Sequence, residues 1–470
     1  MTGVNKGVTK SQMISLFGKG ISTMPANKPK DWLKANPDID WVIVAVCDLN
    51  GVLRGKRVPR NQVRKALKGG VRMPLSACAV DIWGRDIAES ELVFESGDAD
   101  GICAPTERGI VLRNWKQDPS ALLQVTMAHE DGTPVQVDAR QALATVVSRF
   151  AEAGLTLVVA TELEFYLTKS KGGTVVPSDG NGNTSPSDNV LSVSELDSLT
   201  PFLDDVYAAC EALDIPADAA ISEAGAGQVE INILHTDDAM KAADDALQFK
   251  NIVKDVADKH GLTATFMAKP FGDQPGNGFH VHFSLLDSAG KNVFDDGTEE
   301  GSQMLRHAVG GILSAMQEST LIFAPHLNSF RRIRPGSHAP TGAGWGYENR
   351  TCAVRIPGGP NEARRIEHRV AGADTNPYLV LAAIFGAAFY GITQKTEPSA
   401  PIEGNAYDAS LPSLPLGWNS AIARFQSGEI LPTIFSPMLL RLFAQTKQQE
   451  LGHFLSEVTE LEYQTYLETV

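Results

Sequence analysis

Cysteine is scarce in this chain: only five of its 470 residues are cysteines, and they are scattered. They form no C-x-x-C pair, so the usual patterns of a zinc site and of a disulfide framework are both missing. Free thiols in a reducing compartment are the better explanation, and we expect a cytoplasmic protein. The N-terminus also lacks the apolar core of a secretory signal.

Long hydrophobic runs and an excess of positive charge are missing too. The longest apolar run, from Pro377 to Ile392, is shorter than the roughly 18 to 20 residues of a membrane span, and we expect a buried helix there. With 41 basic against 56 acidic residues, the formal net charge is −15. This balance argues against nucleic acid or an anionic membrane as a partner. No P-loop motif is present, so a nucleotide would have to bind through another kind of phosphate-binding site.

The chain is long enough for two domains, and its pattern indicates an α+β protein. A strand at Trp41 to Cys47 and a turn at Asn50-Gly51 predict a hairpin near the start. We expect a small strand-rich domain over residues 1–125, including an N-terminal extension. It should end in a turn-rich stretch from Arg113 to Val137, and a larger domain should occupy residues 126–470.

Four segments carry polar side chains on the face of a strand where a buried strand normally carries apolar ones. They are TELEF from Thr161, GQVEIN from Gly227, NGFHVHFS from Asn277 and RRIEHRV from Arg364. Side chains alternate along a strand, so in each segment the charged residues share one face and the apolar residues share the other. If the apolar faces are buried, the polar faces meet in one cavity.

This cavity is expected to hold divalent cations, because its uncompensated charge is costly away from bulk water. Five carboxylates and one imidazole are mostly hard donors, which suit two ions of Mg²⁺ or Mn²⁺ better than Zn²⁺ or copper. The alternative for Glu162 and Glu164 alone is the solvent face of an edge strand. The candidate metal ligands are Glu162, Glu164, Glu223, Glu230, His280 and Glu367.

Arginines form a second group of candidates, since planar guanidinium groups bind carboxylate and phosphate oxygens in pairs. His282 and Ser284 share the strand face of His280, which favours one imidazole on metal and one near a nucleotide. Pro335-Gly336 and a glycine-rich stretch at 342–346 predict a mobile flap over the site. The candidate arginines are Arg332, Arg350, Arg355, Arg365 and Arg369.

Seven ordered strings resemble the glutamine synthetase superfamily, over the chain from about residue 40 onward. They are TELEF, EAGAGQVEIN, FMAKP, NGFHVHFS, NSFRRIRPG, NRTCAVRIPGG and ARRIEHR. The resemblance implies a small β-grasp N-terminal domain and a large catalytic domain with a curved antiparallel sheet and helices. It also implies a dodecamer of two hexameric rings, with each site between neighbouring subunits, and ATP-dependent ligation of glutamate to an amine through a γ-glutamyl phosphate.

The same resemblance gives the candidate residues their roles. One metal site is Glu164, Glu223 and Glu230, and the other is Glu162, His280 and Glu367. The glutamate side is Gly276, Arg332 and Arg369. The candidates for the phosphate and nucleotide side are Arg350, Arg355, His282, Ser284 and Arg365.

Two departures from the superfamily concern the amine. Glutamine synthetases hold ammonium with a Glu in the flap just before Ala-Pro and an Asp in the neighbouring N-terminal domain. Here His338 replaces the flap Glu, and the stretch MPLSA at 73–77 has no acid. An ammonium ion would therefore lack both of the carboxylates that bind it in glutamine synthetases, whereas an organic amine can bind through contact with apolar surface. The pattern is similar to γ-glutamylpolyamine synthetases and related γ-glutamyl-amide ligases, and the candidates for the acceptor pocket are Asp81, Trp83 and His338.

Two other functions stay open at this point. One is an authentic ammonia-using glutamine synthetase. The other, from a different class, is a catalytically inactive relative that serves as a structural or regulatory oligomer. All six candidate metal ligands are present, which favours an enzyme over the inactive relative.

Overall fold

A sheet of five strands forms the N-terminal part of the protein. The computed structural model describes residues 29–93, 95–116, 120–171, 174–179 and 189–470, so most of the expected N-terminal extension lies outside the described residues. The strands are β1 (Trp41–Cys47), β2 (Leu53–Pro59), β3 (Arg72–Pro74), β4 (Asp100–Arg113) and β5 (Ser120–Ala128). Their order in the sheet is β2-β1-β5-β4-β3. The β-grasp topology of this part stays a prediction.

The predicted hairpin is confirmed, and one other prediction about this sheet is wrong. Strands β1 and β2 pair in antiparallel fashion, and Gly51 turns between them with φ +76°, a region that favours glycine. The stretch expected to be turn-rich contains β5, which pairs in parallel with β1. Its residues 121–128 are all buried, so polar and apolar residues do not alternate between faces. Buried Gln124, for example, accepts a hydrogen bond from Gln248 at 2.9 Å. The expected boundary at residue 125 falls inside this strand.

A larger sheet of nine strands forms the rest of the β-structure. Its main path has the order β12-β13-β14-β11-β6-β9-β8, and β7 and β10 both pair with β6. The pairs are antiparallel except β12 with β13. The strands are β6 (Thr156–Lys171), β7 (Thr174–Pro177), β8 (Ala217–Ser222), β9 (Gln228–Thr236), β10 (Thr263–Thr265), β11 (Phe279–Leu286), β12 (Trp345–Tyr347), β13 (Val354–Ile356) and β14 (Ile366–His368).

Helices cover one face of the large sheet and connect it to the small one. Helix Pro377–Gln394 is the one described helix that is long and apolar enough to cross a membrane, and 72% of that window is buried inside the protein, as predicted for a core helix. The others are Pro29–Ala35, Val63–Ala66, Ala139–Glu152, Val193–Ala212, Ala239–Lys259, Gln303–Phe323, Trp418–Gln426, Leu431–Ile434, Pro437–Ser456 and Glu460–Tyr466.

Acidic side chains of helix Ala239–Lys259, buried Asp244 and half-buried Asp255, form ion pairs with residues that follow strands of the small sheet. Asp244 accepts from Arg140 Nε at 2.9 Å, and Asp255 accepts from Lys116 Nζ at 2.6 Å, just after β4. Burial is the largest single effect on Asp244, but the charges of Arg140 and Arg108 and the hydrogen bonds from Arg140 and Tyr378 together outweigh it and lower the pKa of its carboxyl. The two parts of one chain are therefore joined by ion pairs as well as by apolar packing.

Candidate active site

The four polar segments lie on four neighbouring strands, in the order β14-β11-β6-β9. The cross-strand register places Glu162 of β6 opposite both His280 of β11 and Asn232 of β9. Glu164 lies opposite Glu230 in the same way. The prediction that the other faces are buried is confirmed by the side chains that point away from the site: Leu163, Phe165, Val229, Ile231, Phe279, Val281, Phe283 and Ile366.

Two groups of side chains on this face lie close enough to bind metal ions, and they share Glu162. In one group, ligand atoms of Glu162, Glu230 and His280 lie within 4.8 Å of one another. In the other, the same holds for Glu162, His282 and Glu367. This grouping differs from the expected one: Glu230 lies with His280, and His282 joins the carboxylates. The distance from His282 Nε2 to Glu162 Oε1 is 2.9 Å.

The crowded carboxylates perturb one another strongly. Burial, together with the charges of Glu162, Glu164 and Glu223, raises the pKa of Glu230 to about 9. Burial and the charge of Glu164 raise the pKa of Glu223 to about 7. Burial also opposes ionisation of Glu162, but the two nearby imidazoles outweigh it and hold the pKa of Glu162 well below its ordinary value. Without a counter-charge, the cluster cannot be fully ionised at neutral pH.

The remaining two carboxylates border these groups. Glu164 accepts a hydrogen bond from the backbone N–H of Gly278 at 2.7 Å. Glu223 follows β8, and the charge of Arg350 acts to lower its pKa. Both are half-buried. All six predicted ligands therefore belong to one continuous acidic surface.

The donor set fits divalent cations on two observations. Nε2 of His282 lies 2.9 Å from Glu162 Oε1, and ligand atoms of Glu162, His282 and Glu367 converge within 4.8 Å of one another. Burial and the neighbouring carboxylates raise the pKa of Glu230, and a bound cation would favour its ionised form. Oxygen donors with two imidazoles match a hard or borderline divalent ion.

The candidate arginines approach the cluster from β13 and β14. Arg355 Nη1 donates to Glu367 Oε2 at 2.8 Å, and Arg369 Nη1 is bonded to the other oxygen of the same carboxylate. Burial is the largest single effect and opposes ionisation of Glu367, but the charges of Arg369, His282 and His280 together outweigh it and lower the pKa of Glu367. Arg365 Nε lies 3.4 Å from Nδ1 of His282. Arg350 is exposed in the turn that precedes β13.

Arg332 and two glycines form the wall next to Glu164. Arg332 is buried and donates to the carbonyl of Val370 at 2.8 Å. A Cβ atom on Gly276 would lie 2.8 Å from Arg332 Cγ, and one on Gly278 would lie 2.9 Å from both Arg332 Nη2 and His280 Nε2. The glycines therefore leave the space that the guanidinium and the imidazole occupy.

The flap, residues 335–340, lies directly after this arginine. His338 is exposed at its tip, with φ +58°. Ser337 Oγ lies within hydrogen-bonding distance of two carbonyls at the flap base, 2.7 Å from that of Arg332 and 2.6 Å from that of Arg334. Ser284, the last candidate on the nucleotide side, is half-buried on β11 and faces the same way as His282.

The family profile described as "Glutamine synthetase, catalytic domain" matches residues 136–466, about 70% of the chain. The chain belongs to the glutamine synthetase family. The fold described above agrees, because the polar face of the large sheet falls entirely within the matched range.

Two curated members of the glutamine synthetase family and one solved structure resemble the chain over nearly its whole length. γ-Glutamylputrescine synthetase PuuA of Escherichia coli K12 is 36% identical over 443 residues, which cover 93% of this chain and 94% of that protein. Glutamate–isopropylamine ligase of a Pseudomonas species is 33% identical over 454 residues, covering 94% and 98%. A GmaS/ADP complex aligns with a TM-score of 0.80 at 27% identity, covering 94% of this chain and 100% of that one.

The two N-terminal candidates for the acceptor pocket differ in their surroundings. Asp81 is buried, and its Oδ1 accepts the backbone N–H groups of Trp83 and Arg85 at 3.0 and 2.8 Å. Its Oδ2 accepts from Gln449 at 2.9 Å. Trp83 is 39% exposed and stacks edge-on against His453 with 4.4 Å between ring centroids. Asp81 thus stabilises a turn of its own chain, whereas Trp83 keeps part of its aromatic surface exposed.

Two residues near the site carry functions that the sequence patterns did not suggest. Gln228 Nε2 donates to the carbonyl of Gly276 and to Asn277, both at 3.0 Å, and so holds the glycine loop in place. Glu348 accepts from Arg355 at 3.3 Å and from the backbone N–H of Gly358. The sequence did offer one signal for Glu348: it is an acidic residue directly before the NRTCAVRIPGG string.

Proposed function

We propose that the protein joins the γ-carboxylate of glutamate to an organic amine, with ATP as the phosphoryl donor and a γ-glutamyl phosphate as the intermediate. The observation that carries the choice of amine is the flap sequence PGSHAP, which contains no carboxylate for an ammonium ion. Ammonium is a small cation that needs such a partner, whereas an alkyl amine gains affinity from buried apolar surface. The relatives named for putrescine and isopropylamine support this choice.

The two metal-ligating groups are proposed to hold two ions of Mg²⁺ or Mn²⁺. Glu162, Glu230 and His280 would bind one, with Glu164 and Glu223 beside it. Glu162 and Glu367 would bind the other, with His282 on the side of the nucleotide. Bound divalent ions would neutralise the phosphate oxygens of ATP during transfer.

The arginines supply the positive charge that belongs to the protein itself. Arg332 and Arg369 are proposed to hold glutamate, so that its γ-carboxylate oxygen attacks the terminal phosphorus of ATP and ADP leaves. Arg350 and Arg355 would stabilise the charge on the transferring group. The amine nitrogen then attacks the acyl carbon, phosphate leaves, and the amine gives up a proton. His338 is the flap group available to face that amine.

The flap and the acceptor pocket set the outcome of the second step. Water competes with the amine for the acyl phosphate, so the flap over residues 335–340 must close before the amine reacts. Trp83 is proposed to offer apolar surface to the acceptor from a neighbouring subunit, since it is well exposed in a single chain. Asp81 is already bonded within its own chain, and we propose that it acts by holding this turn.

The structure supports an assembly larger than one chain. The last helix and the residue directly after it carry exposed apolar side chains, among them Leu461 and Leu467, each at least 70% exposed. Such a surface on a 50.4 kDa chain favours contact with another subunit. We propose a dodecamer of two hexameric rings, and mass photometry should then give a particle of about 600 kDa. The five buried free thiols support a location in the reducing cytoplasm.

The test of this function is a panel of acceptors with ATP, glutamate and Mg²⁺ or Mn²⁺. It should include ammonium, methylamine, ethanolamine, putrescine, spermidine and an aromatic amine, with the γ-glutamyl amide measured directly. We expect at least one organic amine to exceed ammonium in kcat/KM. The highest kcat/KM for ammonium would favour a glutamine synthetase instead, and no amide from any acceptor would favour the inactive oligomer.

A further inference from the structure

The flap is tied at its C-terminal end to a separate segment of the chain. The hydroxyl group of Tyr407 donates to the carbonyl of Ala339 at 2.9 Å, and Ala339 is buried. The chain beyond the flap is also held by this segment, because Leu414 N donates to Thr341 O at 2.9 Å and Ala343 N donates to Pro412 O at 2.8 Å. Of these three hydrogen bonds, only the one from Tyr407 involves a side chain, and the other two join backbone groups.

Tyr407 also lies beside the two arginines that are proposed to hold glutamate. The charges of Arg332 and Arg369 act on its phenol, although burial has the larger effect and raises the pKa of Tyr407. The side chain of Tyr407 is half-buried. Tyr407 is therefore hydrogen-bonded to the flap and also lies within the electrostatic influence of the two glutamate-side arginines.

A compact turn connects Tyr407 to the phosphate side as well. The backbone N–H of Ala406 donates to Thr351 Oγ1 at 2.9 Å, and Thr351 Oγ1 donates to Asn349 Oδ1 at 2.6 Å. Asn349 Nδ2 reaches across to the carbonyl of Gly404 at 2.7 Å. Arg350 lies between Asn349 and Thr351 in sequence, so the turn that carries Tyr407 and the turn that carries Arg350 are fixed to each other.

We propose that Tyr407 is a positioning residue that holds the flap closed over the acyl phosphate. The inference rests on the proposed function, because it assigns Tyr407 a role in the choice between amine and water. The hydroxyl group contacts no reacting atom. It acts through Ala339, and the bonded turn at 349–351 lets the state of the phosphate site reach the flap. When the flap opens, water attacks the acyl carbon, phosphate leaves and glutamate is regenerated, so ATP is consumed without amide.

The test is Tyr407→Phe, which removes the hydroxyl and keeps the ring. The assay uses saturating ATP, glutamate and the best amine of the panel, and it measures the ratio of ADP formed to amide formed. In the variant, the excess of this ratio over one, which is ADP formed without amide, should rise about fivefold. That factor corresponds to roughly 1 kcal/mol for one hydrogen bond. The rate of ADP formation itself should change little. A purely structural defect would lower ADP and amide together and leave the ratio unchanged.

A matched control and a second variant complete the experiment. Tyr207→Phe removes an equivalent bond, from a phenol to the Asp218 carbonyl at 2.7 Å on helix Val193–Ala212, and should leave the ratio unchanged. Thr351→Val removes the acceptor of the Ala406 N–H, which holds the turn of Tyr407, and should raise the ratio as Tyr407→Phe does. This variant replaces Tyr407→Phe in the test if Tyr407→Phe does not fold.

An unchanged ratio in Tyr407→Phe, or in Thr351→Val if that variant has to replace it, would overturn the inference. An equal rise in Tyr207→Phe would do the same. In either case, amide formation by the wild-type protein would leave the proposed function standing. A wild-type protein that forms no amide with any amine would instead remove the proposed function on which the inference depends.

Discussion

Metal binding should release about one proton per site, because Glu230 is protonated in the metal-free protein at pH 8. Its pKa of about 9 lies a full unit above that pH, whereas the pKa of Glu223, about 7, leaves that group mostly ionised. A bound cation requires the carboxylate form, so each binding event displaces the Glu230 proton. The apparent affinity for Mn²⁺ should therefore rise about tenfold per pH unit between pH 7 and 8.5.

The sign of the effect on folding follows from the same shift. The pKa of Glu230 is raised in the folded protein, so the folded state binds more protons than the unfolded state between the two pKa values. The free energy of unfolding of the metal-free protein should thus fall as pH rises from about 5 towards 9. Saturating Mn²⁺ should reverse this trend, because metal binding stabilises the ionised folded state.

The assay is isothermal titration calorimetry of Mn²⁺ at pH 8 in two buffers of different ionisation enthalpy, which gives the number of protons released. Glu230→Gln should bind Mn²⁺ more weakly and with an affinity that no longer depends on pH in this way. Glu152→Gln, an exposed carboxylate at the end of its helix, should behave as the wild type. A wild-type protein that releases no protons, and whose affinity is flat from pH 7 to 8.5, would refute the reasoning.

Three further substitutions separate the parts of the site. Gly278→Ala places a methyl group 2.9 Å from Arg332 Nη2 and His280 Nε2, so kcat/KM should fall at least about tenfold with little change in Tm; wild-type kinetics would contradict this packing. His338→Glu restores a flap carboxylate and should raise the kcat/KM for ammonium about tenfold relative to the organic amine, whereas an unchanged ratio would argue against the flap as the selector. Asp81→Ala leaves two backbone N–H groups without their acceptor and should cost about 1–3 kcal/mol in urea unfolding. Unaltered stability with a raised KM for the amine would instead return Asp81 to the acceptor pocket.

The central sheet could be predicted from the sequence because its signal is local. A strand of period 2 that carries charge on one face is visible in a few letters, and TELEF, GQVEIN, NGFHVHFS and RRIEHRV all lie on neighbouring strands as the pattern requires. Strand β5 could not be found in the same way. Both of its faces are buried, so Gln124 and Thr126 resemble loop residues in the sequence, although Gln124 in fact bonds to Gln248 on a helix.

Which side chains of the site meet in space depends on strand register and on packing, and a local sequence pattern gives no information on either. Glu162 lies between the two imidazoles only because β11 pairs with β6 in one register. Arg355 and Arg369 each hydrogen-bond to one oxygen of Glu367, a pairing that no sequence pattern indicated. Asp81 depends on Gln449, more than 360 positions away in the chain, and distant pairings of this kind exceed what sequence reasoning reaches.

The central claim, that this member of the glutamine synthetase family uses an organic amine, is tested most directly by competition in one reaction. Equal concentrations of ammonium and the best organic amine of the panel compete for the same acyl phosphate, with labelled glutamate and ATP limiting the extent of reaction. The ratio of the two labelled products, measured by mass spectrometry, equals the ratio of the two kcat/KM values. We predict that the γ-glutamyl amide of the organic amine predominates. A predominance of glutamine would contradict the account.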